Sequence, residues 1–339
     1  MLSGPRLYLI GLLSVFLFCF GLAGCGGGGG GGGNIATMHT HFLVVSSDAT
    51  AVPNRPSIGT FDMGDQGDTA PELSISGAQT GLDGGVSQGI AISNDEAFVA
   101  NSQSATITVY PEEGNGDLMP VATIAGANTG LAHPVGVAAA NGKLYVSDAG
   151  ANAILIFKTT DDGNVAPMTT IAGPSTTLAG PSGIAVDSNG NIFVANSGNA
   201  SVLMFPASAS GDTLPTSTIA GSATQLVKPV AVALDGHGNL LVSDDGGKPD
   251  AVLFFTATDN GNMSPNKTIS GAATMLAAPN GIALDSTGRT VVVNTGNNSI
   301  VAFPANATGN QSPNEMIQGA ATALSSPIGL AVAVVPGPP

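Results

Sequence analysis

The chain has 339 residues, of which 9% are charged, with 8 basic against 23 acidic side chains, 48 glycines and no tryptophan. Its formal net charge of −15 argues against nucleic acid and anionic lipid surfaces as electrostatic partners, since both are bound through clusters of Lys and Arg. Of the two cysteines, Cys19 lies in an apolar N-terminal run, so Cys25 has no internal partner and a disulfide framework is excluded.

The chain opens with Arg6, an apolar run from Leu7 to Phe20, and then Leu22-Ala23-Gly24-Cys25. The run is too short and wrongly flanked for a stable transmembrane helix and reads as a secretory signal over residues 1–24. Leu-Ala-Gly-Cys resembles the lipobox of bacterial lipoproteins, in which the Cys becomes the lipidated first residue. The resemblance implies a lipid on Cys25 and a place in the cell envelope. Gly26 after the Cys, in place of Asp, implies the outer membrane if the host is Gram-negative. Loss of Arg6 with the signal leaves 8 − 1 = 7 basic against 23 acidic residues, so membrane attachment would come from the lipid. Gly26 to Gly33 is unbroken glycine. Residues 25–37 therefore read as a flexible tether with a reach of roughly 15 Å.

Residues 38–335 carry a self-similar unit. Prolines fall at Pro71, Pro120, Pro167, Pro215, Pro265 and Pro313. Each is followed by an isoleucine four residues on (Ile75, Ile124, Ile171, Ile219, Ile269, Ile317) and a glycine two further (Gly77, Gly126, Gly173, Gly221, Gly271, Gly319). The landmarks recur every 47 to 50 residues, and each unit contains four short runs, seen clearly at Pro181–Asp187, Asn191–Asn196, Ser201–Phe205 and Thr216–Ala220. Asn189-Gly190 between the first two is a tight-hairpin signal, expected to need positive φ at both residues. Four antiparallel strands per unit predict a propeller blade. The first run is small and apolar, fitting a crowded axis. The third carries Tyr110, Phe157, Phe205 or Phe303, fitting the widening wedge between blades. The fourth is rich in Thr and Ser, fitting a half-wet outer strand.

The first unit lacks its Pro-led run and starts at His41 to Val45, whereas an orphan Pro327-Ile-Gly-Leu-Ala-Val-Ala-Val334 stands at the end. The expected fold is thus an all-β, six-bladed propeller, closed by pairing the N- and C-terminal strands so that no sheet edge is left open. Residues 336–339 are a tail.

Pro181-Ser-Gly-Ile-Ala-Val-Asp187 and Gly190-Asn-Ile-Phe-Val-Ala-Asn196, closing on Gly221 and Leu226 before Pro229, resemble an NHL repeat. The pattern recurs at Pro134, Pro229 and Pro279, and less well at Ser87. It departs from the usual form where Ala153, Ser201, Ala251 and Ser299 replace a basic residue, and where Asn replaces Asp at the end of the second strand. The resemblance implies a binding platform, an extracellular sensor module or, in related six-bladed folds, an enzyme.

Three groups of residues are candidates for chemistry. Asn101, Asp148, Asn196, Asp244 and Asn294 end the second strands, with Ser47 or Asp48 in the first unit. They make either a rim of oxygen ligands or a set of side chains capping their own turns, and repetition favours capping. The pore mouth is expected at Gln88, Val135, Ser182, Val230, Asn280 and Ile328. None of these is charged, which suits neither the pore metal of lactonase-like enzymes nor acid–base work. His39 and His41 share a strand face as a candidate metal pair, with no third ligand evident; His133 and His237 fall on opposite rims. Asp187–Asn191 and Asp161–Asn164 look superficially like calcium loops but lack their alternating carboxylates and distal Glu. The function expected is a membrane-anchored, non-enzymatic binding or interaction module without cofactor or catalytic metal. Its ligand would be a protein or small molecule held on the propeller face, and cation-dependent thermal stabilisation is not expected. The alternative is a lactonase- or streptogramin-lyase-like enzyme.

Overall fold

Apolar runs of four to seven residues, cut by Gly, Asn and Asp, are too short for packed helices and long enough for strands. The computed structural model describes residues 38–46, 56–84, 89–235 and 237–336. Within them lie six four-stranded antiparallel sheets, and helix is limited to three-residue 3₁₀ turns such as Pro174–Thr176. Blade 4 shows the correspondence with sequence, its strands being Pro181–Val186, Ile192–Asn196, Ser201–Phe205 and Ser217–Ala220. The signal peptide, Cys25 and the tether lie outside the described residues, as do Ser47, Asp48 and Gln88.

The ring closes as the orphan run requires. Pro327–Pro336 pairs antiparallel with Met38–Ser46, with Val44 opposite Leu330, and becomes the inner strand of blade 1. The other inner strands are Ile90–Ser93, Pro134–Ala140, Pro181–Val186, Pro229–Leu234 and Pro279–Leu284.

One turn differs from expectation. At Asn189-Gly190 only the glycine has positive φ (85°). The Asp187 carboxylate accepts the N–H groups of Asn189 and Asn191 at 2.9 and 2.8 Å, and this side chain–backbone bonding holds a wider loop between paired Val186 and Ile192. Two-residue turns with both φ positive occur instead at Asn94-Asp95 (54° and 61°) and Asn141-Gly142 (53° and 71°), where Ser93 pairs with Glu96 and Ala140 with Lys143.

The core is divided among the blade junctions, one apolar cluster at each. Between blades 4 and 5, for example, Phe193 and Val202 pack on Val242, Leu253 and Phe255. The third-strand aromatics Tyr110, Phe157, Phe205, Phe255 and Phe303 are fully buried in these wedges. Each contributes roughly 1.5–3 kcal/mol by leaving water. Near the axis space vanishes: a Cβ on Gly183 would sit 2.4 Å from Ala231 Cα, so the inner strands approach at a distance that only glycine permits.

The isoleucine–glycine landmark is an inter-blade clasp. Ile75, Ile124, Ile171, Ile219 and Ile269 each make a parallel bridge to a glycine in the next blade, and Ile317 closes the circle on Gly67. Two residues after each landmark glycine, a backbone N–H donates to an Asp or Asn side chain of the following blade. Examples are Ser175 to Asp212 at 2.6 Å, Ala223 to Asn262 at 2.7 Å and, across the closure, Ala321 to Asp68 at 2.6 Å. Gly173 has φ 131°, and a Cβ there would lie 2.5 Å from Asp212; conformation and space both demand glycine. The calcium-like turn Asp161–Asn164 is absorbed by the same bonding, since Asp162 accepts the N–H of Thr123 at 2.9 Å and Asn164 that of Asn128 at 2.8 Å.

Candidate functional site

The Asx residues that end the second strands are buried, at 0–2% exposure, and directed into the protein. They bind backbone, chiefly in the loop that enters the inner strand and only partly in their own turns. Asp148 accepts the N–H groups of Ala132 at 2.8 Å, His133 at 3.0 Å and Ala151 at 2.8 Å. Asp244 accepts those of Val227 at 2.8 Å, Lys228 at 3.1 Å and Gly246 at 3.1 Å. Asn196 accepts from Ala179 at 2.7 Å and donates to Thr177 O at 3.1 Å and Ser201 Oγ at 3.1 Å. Asn294 repeats this arrangement with Ala277, Met275 O and Ser299, and Asn101 accepts from Asp83 N and donates to Thr108.

The choice between Asp and Asn follows from the partners. Opposite Asn196 and Asn294 stand Ser201 and Ser299, whose hydroxyls can accept from an amide; opposite Asp148 and Asp244 stand Ala153 and Ala251, which cannot. The carboxylates also hold the N–H of the residue before the inner-strand proline, namely His133 or Lys228. In the Asn196 and Asn294 blades that N–H is taken by the preceding blade, Gly180 donating to Asn152 and Ala278 to Asp250, and in blade 1 Ser326 likewise donates to Asn298. These five side chains are therefore spent on structure, and among the described residues they form no ring of oxygen ligands open to the pore.

The pore mouth leads into a chamber of about 420 Å³ on the axis. Val135, Ser182, Val230, Asn280 and Ile328 line it, as their positions predicted. Ser182 Oγ is spent on Val230 O and accepts Gly183 N at 2.7 Å, so it is no nucleophile. The Asn280 amide has no hydrogen-bond partner among the described residues. The mouth is not wholly uncharged, which the sequence reading missed. His133, Lys228 and Asp245 also line it, with Lys228 Nζ 2.7 Å from Asp245. The missed signal was positional, because His133 and Lys228 each immediately precede an inner-strand proline.

His237 lies on the opposite rim, its ring 3.1 Å from Asp235 O. His41 also lies away from the chamber, its Nδ1 2.8 Å from Asp62 and 3.6 Å from Glu72. Burial, reinforced by Asp62, pushes the Glu72 carboxyl above its usual range.

The profile of the family described as "Lactonase, 7-bladed beta-propeller" matches residues 38–311. The chain belongs to this family. It has six blades where the family description gives seven. The NHL resemblance and this membership agree on a propeller and differ in the family named. No curated protein sequence matches. Among solved structures, the nidogen/laminin complex is similar at TM-score 0.62 and 13% identity, over 87% of this chain and 98% of that one. A protein of unknown function from Bacteroides caccae is similar at TM-score 0.59 and 11% identity, over 87% and 98%. One from Lactobacillus plantarum is similar at TM-score 0.55 and 12% identity, over 87% and 99%. At these identities the likeness is one of fold.

Proposed function

We propose that this protein is a lipoprotein of the cell envelope, anchored through Cys25, whose propeller is a non-enzymatic binding module with its ligand or partner at the pore mouth. The observation that carries the reading is the chemistry of the axial chamber. Its size, about 420 Å³, suits a small ligand or an inserted loop. Its walls are aliphatic side chains and inner-strand backbone, with the His133 imidazole and the Asn280 amide as polar groups that make no hydrogen bond among the described residues. The carboxylate at the mouth, Asp245, is neutralised by Lys228. Hydrogen-bonding groups in an apolar cup favour binding and orientation; acid–base or metal catalysis calls for convergent titratable groups.

Membership of the lactonase family favours a second reading, hydrolysis of a lactone at the same mouth, and one experiment separates the two. The purified mature protein is assayed on a panel of simple lactones, with and without added divalent cations. The binding module gives no hydrolysis above background. Turnover that His133→Ala or Asp245→Asn abolishes would establish the enzyme instead.

A further inference from the structure

Away from the pore, blade 1 brings together three side chains from its three N-terminal strands: His41 from Met38–Ser46, Asp62 from Ser57–Asp62, and Glu72 just before Leu73–Ser76. One ligand atom from each lies within 4.8 Å of the others. We propose that His41, Asp62 and Glu72 form a divalent transition-metal site, best suited to zinc, that clamps the closing blade.

The donor set supports this choice. An imidazole with two carboxylates suits zinc, whereas calcium and magnesium take oxygen alone. Ligands about 2.1 Å from a tetrahedral zinc lie about 3.4 Å apart; the distances from His41 Nδ1 here are 2.8 and 3.6 Å. Asp62 Oδ1 is shielded from solvent, accepts no hydrogen bond of normal geometry among the described residues, and lies 2.8 Å from the His41 imidazole.

A second observation comes from the neighbouring blade. His41 shares a strand face with Leu43 and Val45, and Asp62 shares one with Ile58, all three of which pack against Tyr110 of blade 2. Glu112, two residues after Tyr110 and on the same side, is 8% exposed, and its carboxylate makes no hydrogen bond or ion pair among the described residues. Burial, reinforced by Asp95 and Glu113, pushes its carboxyl above the usual range, and His41 is its other charged-type neighbour. The charged neighbours of Glu72 are Asp62, His41 and Asp65. Among the described residues no lysine or arginine is a charged neighbour of Glu72 or Glu112, and a divalent cation would balance this corner.

The sequence showed His41 without a third ligand because the carboxylates arrive from the next two strands. Hairpin register places Asp62 opposite His41, and a one-residue slip would put it on the other face. Zinc binding here would run against the expectation that cations leave thermal stability unchanged.

The test uses the mature protein stripped with chelator, followed by thermal melts with added zinc and measurement of bound zinc by mass spectrometry. Saturating zinc at about 100 times Kd should raise Tm by roughly 5 °C, with one zinc per chain. His41→Ala should abolish both effects. Glu72→Gln, at a half-exposed position that tolerates change, should weaken binding about tenfold or more. His133→Ala and His237→Ala should leave binding intact. Cobalt in place of zinc should give d–d absorption that His41→Ala removes. Absence of stoichiometric zinc in the folded protein, or binding that persists in His41→Ala, would overturn the proposal.

Discussion

Replacing Asp148 by Asn tests whether the second-strand Asx residues are structural. The wild-type carboxylate accepts three backbone N–H groups at 2.8–3.0 Å in a fully buried position. Asn retains one acceptor oxygen and turns an NH₂ toward donors, with Ala153 opposite and no hydroxyl to receive it. At least one backbone N–H loses its acceptor and a new donor is buried without one. At about 1–3 kcal/mol for each unsatisfied group, the cost is roughly 2–5 kcal/mol, or a Tm lower by roughly 4–10 °C. Ala153→Ser supplies the acceptor found opposite Asn196 and Asn294. Added to Asp148→Asn, it should recover about 1 kcal/mol, so the double-mutant cycle should show a coupling of that size. Urea titration followed by circular dichroism measures all four proteins, with and without chelator. A cost below about 0.5 kcal/mol, or no coupling to Ala153→Ser, would refute the hydrogen-bond account. A cost that appears only when a divalent cation is present would make Asp148 a metal ligand after all.

Three other outcomes are expected. Truncation before Pro327 strips Met38–Ser46 of its inner partner and removes buried Ile328 and Leu330. These two side chains alone are worth about 4–10 kcal/mol, of the order of a whole domain's stability, so the cooperative melt should be lost; an unchanged melting curve would disprove terminal closure. Asp285 is buried, which favours its neutral form, but hydrogen bonds from Thr287 and Arg289 outweigh this and hold its carboxyl below the usual range. A lowered folded pKa stabilises the protein at neutral pH, and that contribution fades as pH falls below about 3.8. Asp285→Asn should therefore destabilise at pH 7 by about 1–3 kcal/mol and flatten the acid limb in denaturant titrations, whereas an acid limb of unchanged steepness would count against the pairing. Finally, Cys25→Ser expressed in a bacterial host should abolish incorporation of radiolabelled fatty acid, and persistent labelling would remove the lipid anchor.

The fold was legible because its determinants are local and repeated. The isoleucine–glycine landmark is an inter-blade clasp read directly from the sequence, and the orphan strand Pro327–Pro336 announced the closure. The wider turn at Asn189-Gly190 escaped because Asp187, outside the dipeptide, competes for its N–H groups. The candidate sites were less legible because they are assembled across strands and blades. Lys228 and Asp245 are far apart in sequence and meet at 2.7 Å because the loop entering the inner strand runs beside the second-to-third strand turn. Asp62 reaches His41 through hairpin register. Sequence could nominate the histidines but could not supply the strand to which each carboxylate belongs.

Repetition itself divides structure from function in this ring. A residue type present in nearly every blade serves something every blade needs, as the buried Thr176, Thr224 and Thr274 show by each accepting and donating within the same short turn. The clasps act only between neighbours, so they specify each junction without counting blades; terminal pairing and the Asp68–Ala321 contact fix the number at six. A ring that is structurally equivalent around its axis can recognise an asymmetric ligand only where the repeat is broken. At the pore mouth those breaks are His133, Asn280 and the Lys228–Asp245 pair; on blade 1 they are His41, Asp62 and Glu72. Substitutions at the pore mouth should alter binding with little effect on folding, those on blade 1 should remove the stabilisation that zinc confers, and those at the repeated Asx and Gly positions should destabilise the fold.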